Sequence, residues 1–328
     1  MTLNRKMTRL AEASPEAIAK AAECLRAGGL VAMPTETVYG LAADATSDKA
    51  VAALYAAKER PAINPLIAHV LDIEAAREQA VFSAEAETLA GAFWPGPLTL
   101  VLPVASSSRI SLLARAGLDT VAVRSPSHEV ARALIEAAGV PLAAPSANRS
   151  GRVSPTTAAH VVADLDGRVD WIIDGGPCRY GLESTIVACL SSRPQLLRPG
   201  AITREAIEAA LGSPIGSGAV PQTAPNAPGQ LASHYAPSAE LRLDAASASS
   251  DEAVLDFGSS LKSAAGVRLD LSPSGDLIEA ASHLFSYLRV LDAAGAMRIA
   301  VAPIPAHGLG AAINDRLRRA AAPRNVPR

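Results

Sequence analysis

LVAMPTETVYG, residues 30–40, runs from a short apolar strand straight into a turn that carries Thr35, Glu36, Thr37 and Tyr39. Hydroxyls and a carboxylate at the carboxyl end of a strand are well placed to hydrogen-bond a small polar ligand, although an ordinary strand-to-loop turn uses the same residue types. Upstream, Ser14-Pro15 supplies a cap and a first-turn proline for a helix reaching Leu25, and Gly28-Gly29 ends it. Downstream, Ser47 can cap a helix running to Lys58, and LIAHV (66–70) follows as a strand. The alternation continues through LTLVLP (98–103), TVAVR (120–124), PLAA (141–144), WIID (171–174), STIVACL (184–190) and QLLR (195–198), with helices over 128–138 and 203–211. Such a pattern predicts an α/β catalytic domain over residues 1–212.

Residues 213–239 hold no Asp, Glu, Lys or Arg, but five prolines and three glycines. That is the composition of a linker, too proline-rich for a central strand. Beyond it, ELRLD, AVLDF, VRLDL and RIAVAPIP alternate with helical patterns near 276–294 and 309–322, so residues 240–328 read as a smaller, Rossmann-like α/β domain.

A chain of 328 residues is long enough for two domains, and 49% hydrophobic against 19% charged residues rules out a disorder-type composition. The core must be mostly aliphatic, since there are eleven aromatic residues. Thirty basic and 32 acidic side chains leave a formal charge of −2, which argues against a protein that grips many phosphates by net charge alone. Cys24, Cys178 and Cys189 are odd in number and widely spaced, without a Cys-x-x-Cys pair, so a disulfide framework and a cysteine zinc site are poorly supported. Neither a signal-type apolar run nor a membrane-length one occurs, and the expectation is a cytoplasmic protein with no membrane partner.

Four further segments carry polar chemistry. In KERPAINPLIAH (58–69), Lys58 and Arg60 leave a helix end ahead of Asn64 and His69, and two cations there suggest an anion pocket, where one alone would more simply complement the helix dipole. In GLDTVAVRSP (117–126), Arg124 ends an apolar strand, where a guanidinium can clamp a carboxylate or phosphate. AAPSANRSGRVSP (143–155) packs Ser146, Asn148 and Ser154 among small residues that let a backbone approach phosphate oxygens, or that merely form a capping loop. GLESTI (181–186) and LLRPG (196–200) place Ser184 and Arg198 at further strand ends. A Gly-x-x-x-x-Gly-Lys phosphate loop and a Gly-x-Ser-x-Gly elbow are both absent from the sequence, so serine hydrolysis loses support.

PTETVYG, K-x-R with NPL and His69, GLDTVAVR, APSAN, IIDGG, ESTI and LLRPG, in this order across residues 30–200, closely resemble the YrdC-like family. HYAP (234–237) followed by a small α/β domain is similar to the family's long, two-domain form, the threonylcarbamoyl-AMP synthases, and AAINDRLRRAA (311–321) loosely resembles its C-terminal helix. The resemblance implies a YrdC-like twisted sheet with surrounding helices and a concave cavity. It also implies a nucleotidyl transfer in which L-threonine, bicarbonate or CO2, and ATP with Mg2+ give threonylcarbamoyl-adenylate and pyrophosphate. The product would be handed to a separate tRNA threonylcarbamoyl transferase, with any tRNA contact indirect or weak. On that footing Arg124 takes the threonine carboxylate, with Thr35, His69 and Ser184 around it. Lys58 and Arg60 are the catalytic cations, and with Arg198 they face the ATP phosphates. Ser146, Asn148 and Ser154 position phosphates or ribose, while Asn64, Thr120 and the backbone at Ala144 line the nucleotide pocket. Tyr235 on the linker folds over the nucleotide as a lid. An RNA-binding module of the same fold is the competing expectation, disfavoured by the charge balance and by only four lysines in residues 1–212. A carbamoyl-transfer role in hydrogenase maturation would require cysteine-rich segments that are not present.

Overall fold

Ser14 caps the first helix, Pro15–Arg26, by accepting a hydrogen bond from the Ala17 N–H, and Ser47 caps the second, Asp48–Lys58, through Ala50 in the same way. The computed structural model describes residues 7–217, 234–263 and 266–323. Most of the linker stretch 213–239 therefore lies outside the described residues, and the lid expectation is testable only at His234–Ala239.

The described strands of the larger unit form one eleven-stranded mixed sheet. Its order is Arg9–Glu12, Trp171–Asp174, Val31–Met33, Gly40–Asp44, Leu142–Ala143, Ile67–His69, Thr120–Arg124, Leu98–Pro103, Thr185–Ala188, Gln195–Arg198 and Gly216–Ser217. The PTETVYG turn thus links two antiparallel strands, with Val31 opposite Ala42 and Met33 opposite Gly40. Side chains alternate across the sheet. Val31 and Met33 pack with the helices Pro15–Arg26 and Glu129–Ala138, whereas Leu30 and Ala32 join Val51 and Leu54 on the other side.

In the half of the sheet built from Ile67–His69, Thr120–Arg124, Leu98–Pro103 and Thr185–Ala188, one face is covered by Leu98, Leu100, Val121, Val123 and Val187 of the main core. The opposite face carries a small separate cluster, Ile67, Val101, Ala122, Ile186 and Ala188. The candidate site lies on that second face.

The second unit is a four-stranded parallel sheet in the order Glu240–Arg242, Arg298–Val301, Glu252–Asp256 and Arg268–Asp270, with helices Leu277–Ala293 and Leu309–Ala321. Its apolar core is continuous with the first unit, because Val38, Val153 and Leu182 are buried within it together with Tyr235. Gly181 makes that approach possible. At φ +64° it sits in the left-handed region, and a Cβ there would stand 2.6 to 2.7 Å from backbone atoms of Ala281 and Ser282.

Candidate active site

Strand register brings the site residues together. Ile67 lies opposite Ala122 and His69 opposite Arg124, so two apolar positions and two polar ones share one face of adjacent strands. Thr120, Ala122 and Arg124 point the same way along their strand, and Ser184 immediately precedes the strand Thr185–Ala188, whose Ile186 lies on that face. A cavity of about 50 Å3 opens over this face, lined by Arg60, His69, Arg124, Ala144, Ser146, Ser184, Arg198 and Tyr235 among the expected residues, and by Thr37, Ile67, Glu183 and His234 besides.

At one end, Arg124 is buried and almost surrounded by acceptors. Its Nε donates to the Gly96 carbonyl at 3.2 Å, Nη1 to Thr37 Oγ1 at 3.0 Å and Nη2 to Glu36 Oε1 at 2.6 Å. Three of the five guanidinium N–H groups are thereby used, which leaves donors for an incoming anion. Burial alone would push the Glu36 carboxyl up, but the Arg124 charge outweighs it and holds the pKa below the usual range. His69 is pulled down to about 3, by burial first and the Arg124 charge second, so its ring is neutral. Thr35 has a different place from the one expected. Its hydroxyl donates to the Val38 carbonyl and accepts from the Thr37 and Val38 N–H groups, bracing the turn, and it is Thr37 that faces the cavity.

The other end is cationic. Arg60 is buried in the cavity wall with Nη2 donating to the Pro65 carbonyl at 3.1 Å, whereas Lys58, 1% exposed, does not line the cavity: it stands behind Ser146, with Nζ donating to the carbonyls of Ser146 and Asn148. Among the described residues neither has a carboxylate partner. Burial draws Arg60 down to about 10, and burial plus the neighbouring Arg60 charge lowers Lys58 well below the usual lysine range. Carbonyl dipoles therefore solvate two charges that an anion would stabilise further. Arg198 is also buried, and it donates to the backbone and hydroxyl oxygens of Ser184.

Several expected residues stand behind the cavity wall. Asn148 donates to the Arg149 and Arg152 carbonyls and holds the loop shape, and Ser154 donates to Glu183 at 2.5 Å. Asn64 is fully buried with both side-chain amide atoms unpartnered, and it does not line the cavity. Thr120 is at the far end of its strand from Arg124, about 13 Å away at strand rise, and does not line the cavity.

Tyr235 is 1% exposed and held in a left-handed conformation at φ +64°, which is uncommon for a bulky side chain. Its ring packs 5.5 Å from Phe285, 4.1 Å from His234, and 5.3 Å from the guanidinium of Arg316. Backbone bonds from His234 N–H to the Arg319 carbonyl and from Ala236 N–H to the Gly151 carbonyl pin the segment at both ends. Sequence reasoning left open whether His234 belongs to the site; it lines the cavity, with Nδ1 unpartnered and its pKa driven far down by burial and surrounding cations. Glu183 and Arg316 lie inside quoted segments, GLESTI and AAINDRLRRAA, but neither is expected in the site from the sequence. For Glu183 the available signal was a carboxylate directly before Ser184 in an otherwise apolar stretch.

Among the described residues no group of three or more His, Cys, Asp or Glu side chains could hold a metal ion, and no helix is long and apolar enough to cross a membrane.

A family model described as "Telomere recombination", that of the Sua5, YciO and YrdC proteins, matches residues 23–200, and one described as "Threonylcarbamoyl-AMP synthase, C-terminal domain" matches residues 202–322. The threonylcarbamoyl-AMP synthase of Bacillus subtilis is 50% identical over 229 residues, 69% of this chain and 66% of that protein. That of Pyrococcus abyssi is 43% identical over 317 residues, 92% of each chain. The crystal structure of P. abyssi Sua5 complexed with L-threonine superposes with a TM-score of 0.86 at 40% identity, covering 96% of this chain and 97% of that one. Family models spanning both units and a relative matched over nearly its whole length agree: the chain belongs to the threonylcarbamoyl-AMP synthase family, in its two-domain form.

Proposed function

We propose that the cavity, enlarged beyond about 50 Å3 when the His234–Tyr235 segment packed against it moves aside, binds L-threonine at its Arg124 end and ATP at its Arg60–Arg198 end with Lys58 behind it, and that the chain is a nucleotidyltransferase making threonylcarbamoyl-adenylate. The observation that carries this reading is the layout of one sheet face. A guanidinium with spare donors stands at one end, the buried cations Arg60 and Arg198 at the other with Lys58 behind them, and the apolar positions Ile67, Ala122 and Ile186 lie on the same face. A small zwitterion suits the first end, a polyphosphate the second, and a flat base the apolar strip.

The threonine amine, as the free base, attacks CO2 to form a carbamate and releases one proton to water. A carbamate oxygen then attacks the α-phosphorus of ATP while the bond from that phosphorus to the bridging oxygen breaks, and pyrophosphate leaves with both electrons of that bond. Arg124 and Thr37 orient the amino acid, and neutral His69 and Ser184 offer hydrogen bonds without adding charge. Lys58, Arg60 and Arg198 offset the charge that builds on the leaving group, so positioning and electrostatics supply the catalysis. Mg2+ bound to the ATP phosphates would supply charge neutralisation there, beside the cations Arg60 and Arg198. Tyr235 and His234 close the nucleotide side and exclude water from the labile carbamate and mixed anhydride. The product passes to a tRNA threonylcarbamoyl transferase.

Pyrophosphate release measured with and without each substrate tests the reading. It should require threonine and bicarbonate together with ATP, and release that is indifferent to threonine overturns it.

A further inference from the structure

Arg316 lies in the helix Leu309–Ala321 of the second unit, yet it is fully buried and donates hydrogen bonds into the first as well as to its neighbour Asp315. Nε donates to Glu183 Oε2 at 2.8 Å, and Nη1 donates to the Pro199 carbonyl at 2.9 Å and to Asp315 Oδ2 at 2.7 Å. The other oxygen of Glu183 accepts the Ser154 hydroxyl, and Pro199 directly follows Arg198. The same guanidinium lies over the ring of Tyr235.

We propose that Arg316 is a positioning residue for the nucleotide end of the site, so that the C-terminal unit builds part of the active site. The proposal rests on the nucleotide reading above. One planar fork sets three pieces of the wall at once: Glu183 and through it Ser154, the backbone beside Arg198, and the face of Tyr235. Arginine suits this because its donors diverge in a fixed plane, whereas a lysine ammonium cannot satisfy the carboxylate and the carbonyl while also covering the ring. Although burial alone would lower the Arg316 pKa, the anionic groups around it hold it above the ordinary value, so the fork stays charged. The threonine end is built differently. The side-chain partners of Arg124 are Gly96, Thr37 and Glu36, all in the first unit. Loss of Arg316 should therefore damage one ligand's site and spare the other's, which a general loss of domain packing would not do.

Calorimetric titration of the full chain with a non-hydrolysable ATP analogue, and separately with L-threonine, decides between these outcomes in the wild type, R316K and E183Q/R316M. The double variant removes both buried charges and so avoids stranding the Glu183 carboxylate. Both variants should bind the analogue about tenfold more weakly while threonine affinity stays within about twofold, with a thermal midpoint near that of the wild type. Unchanged analogue affinity in a folded variant, or equal losses for both ligands, overturns the proposal. If both variants unfold, E183Q alone decides by the same criterion. A wild type that binds both ligands but releases no pyrophosphate defeats the proposed activity and leaves this comparison standing.

Discussion

Arg124 and Glu36 meet at 2.6 Å with side chains only 4% and 6% exposed, a buried ion pair within the first unit. The guanidinium is fixed by it, and Glu36 Oε2 remains a buried acceptor without a partner. Removing Arg124 therefore does two things at once. R124A should abolish measurable threonine binding and also destabilise the fold by about 3–5 kcal/mol, because a lone buried carboxylate is left behind. R124K keeps a charge near Glu36 and should fold, yet weaken threonine binding by about tenfold or more with analogue binding preserved. Calorimetry with each ligand checks the separation, and equal loss of both would reject the placement of threonine at this end.

Lys58 tethers the Ser146–Asn148 loop through two backbone carbonyls. K58M removes the charge and the tether together, whereas K58R retains the charge on a bulkier group with different geometry. Pyrophosphate release should fall by about 100-fold or more in K58M, as for loss of a transition-state cation. An ATP-dependent rate in K58M near that of the wild type would remove Lys58 from the catalytic group.

Gly200 follows Arg198 by two residues, and a Cβ there would stand 2.5 Å from backbone atoms of Glu183, Ser184 and Thr185. Two site segments touch through this missing side chain. G200A should cost about 1–3 kcal/mol in a denaturant titration, the usual range for overpacking. Activity should drop as well, since Ser184 and Arg198 are displaced together.

His69 gives the stability a pH dependence of known sign. Unfolded, its imidazole titrates near 6.5, and folded, at about 3. Between those values the unfolded chain binds a proton that the folded chain does not. Stability is therefore intact above the unfolded value and declines as pH falls toward the folded one. H69Q removes the titration, so denaturation midpoints at about pH 7 and about pH 4.5 should lie closer together in H69Q than in the wild type. An identical slope in both proteins would place the acid sensitivity elsewhere.

Elements with strong local signals were legible in order and type. Ser14-Pro15 and Ser47 mark helix starts that the structure contains, and LTLVLP and TVAVR are strands over the same residues. Arg9–Glu12 was not legible, since an exposed edge strand with polar side chains shows no hydrophobic period. Gly40–Asp44 was hidden for the converse reason: it is largely buried, small-residue and continuous with a turn. Within the site, residue types identified the cations and hydroxyls but not their directions. Thr35 and Thr37 are two apart in the same turn, and only the folded turn shows which hydroxyl is consumed internally and which reaches Arg124.

The sequence by itself determined the α/β alternation, the uncharged stretch between two apolar-patterned regions and the set of polar segments at strand ends, because periodicity, caps and residue chemistry are local properties. Tertiary structure alone decided that these segments converge on one sheet face, since convergence depends on the register that sets His69 beside Arg124. It alone decided, too, that an arginine more than a hundred residues downstream reaches Glu183. An Arg on a helix is exposed or buried according to what packs over it, and no local pattern records that the two units share a core at Tyr235.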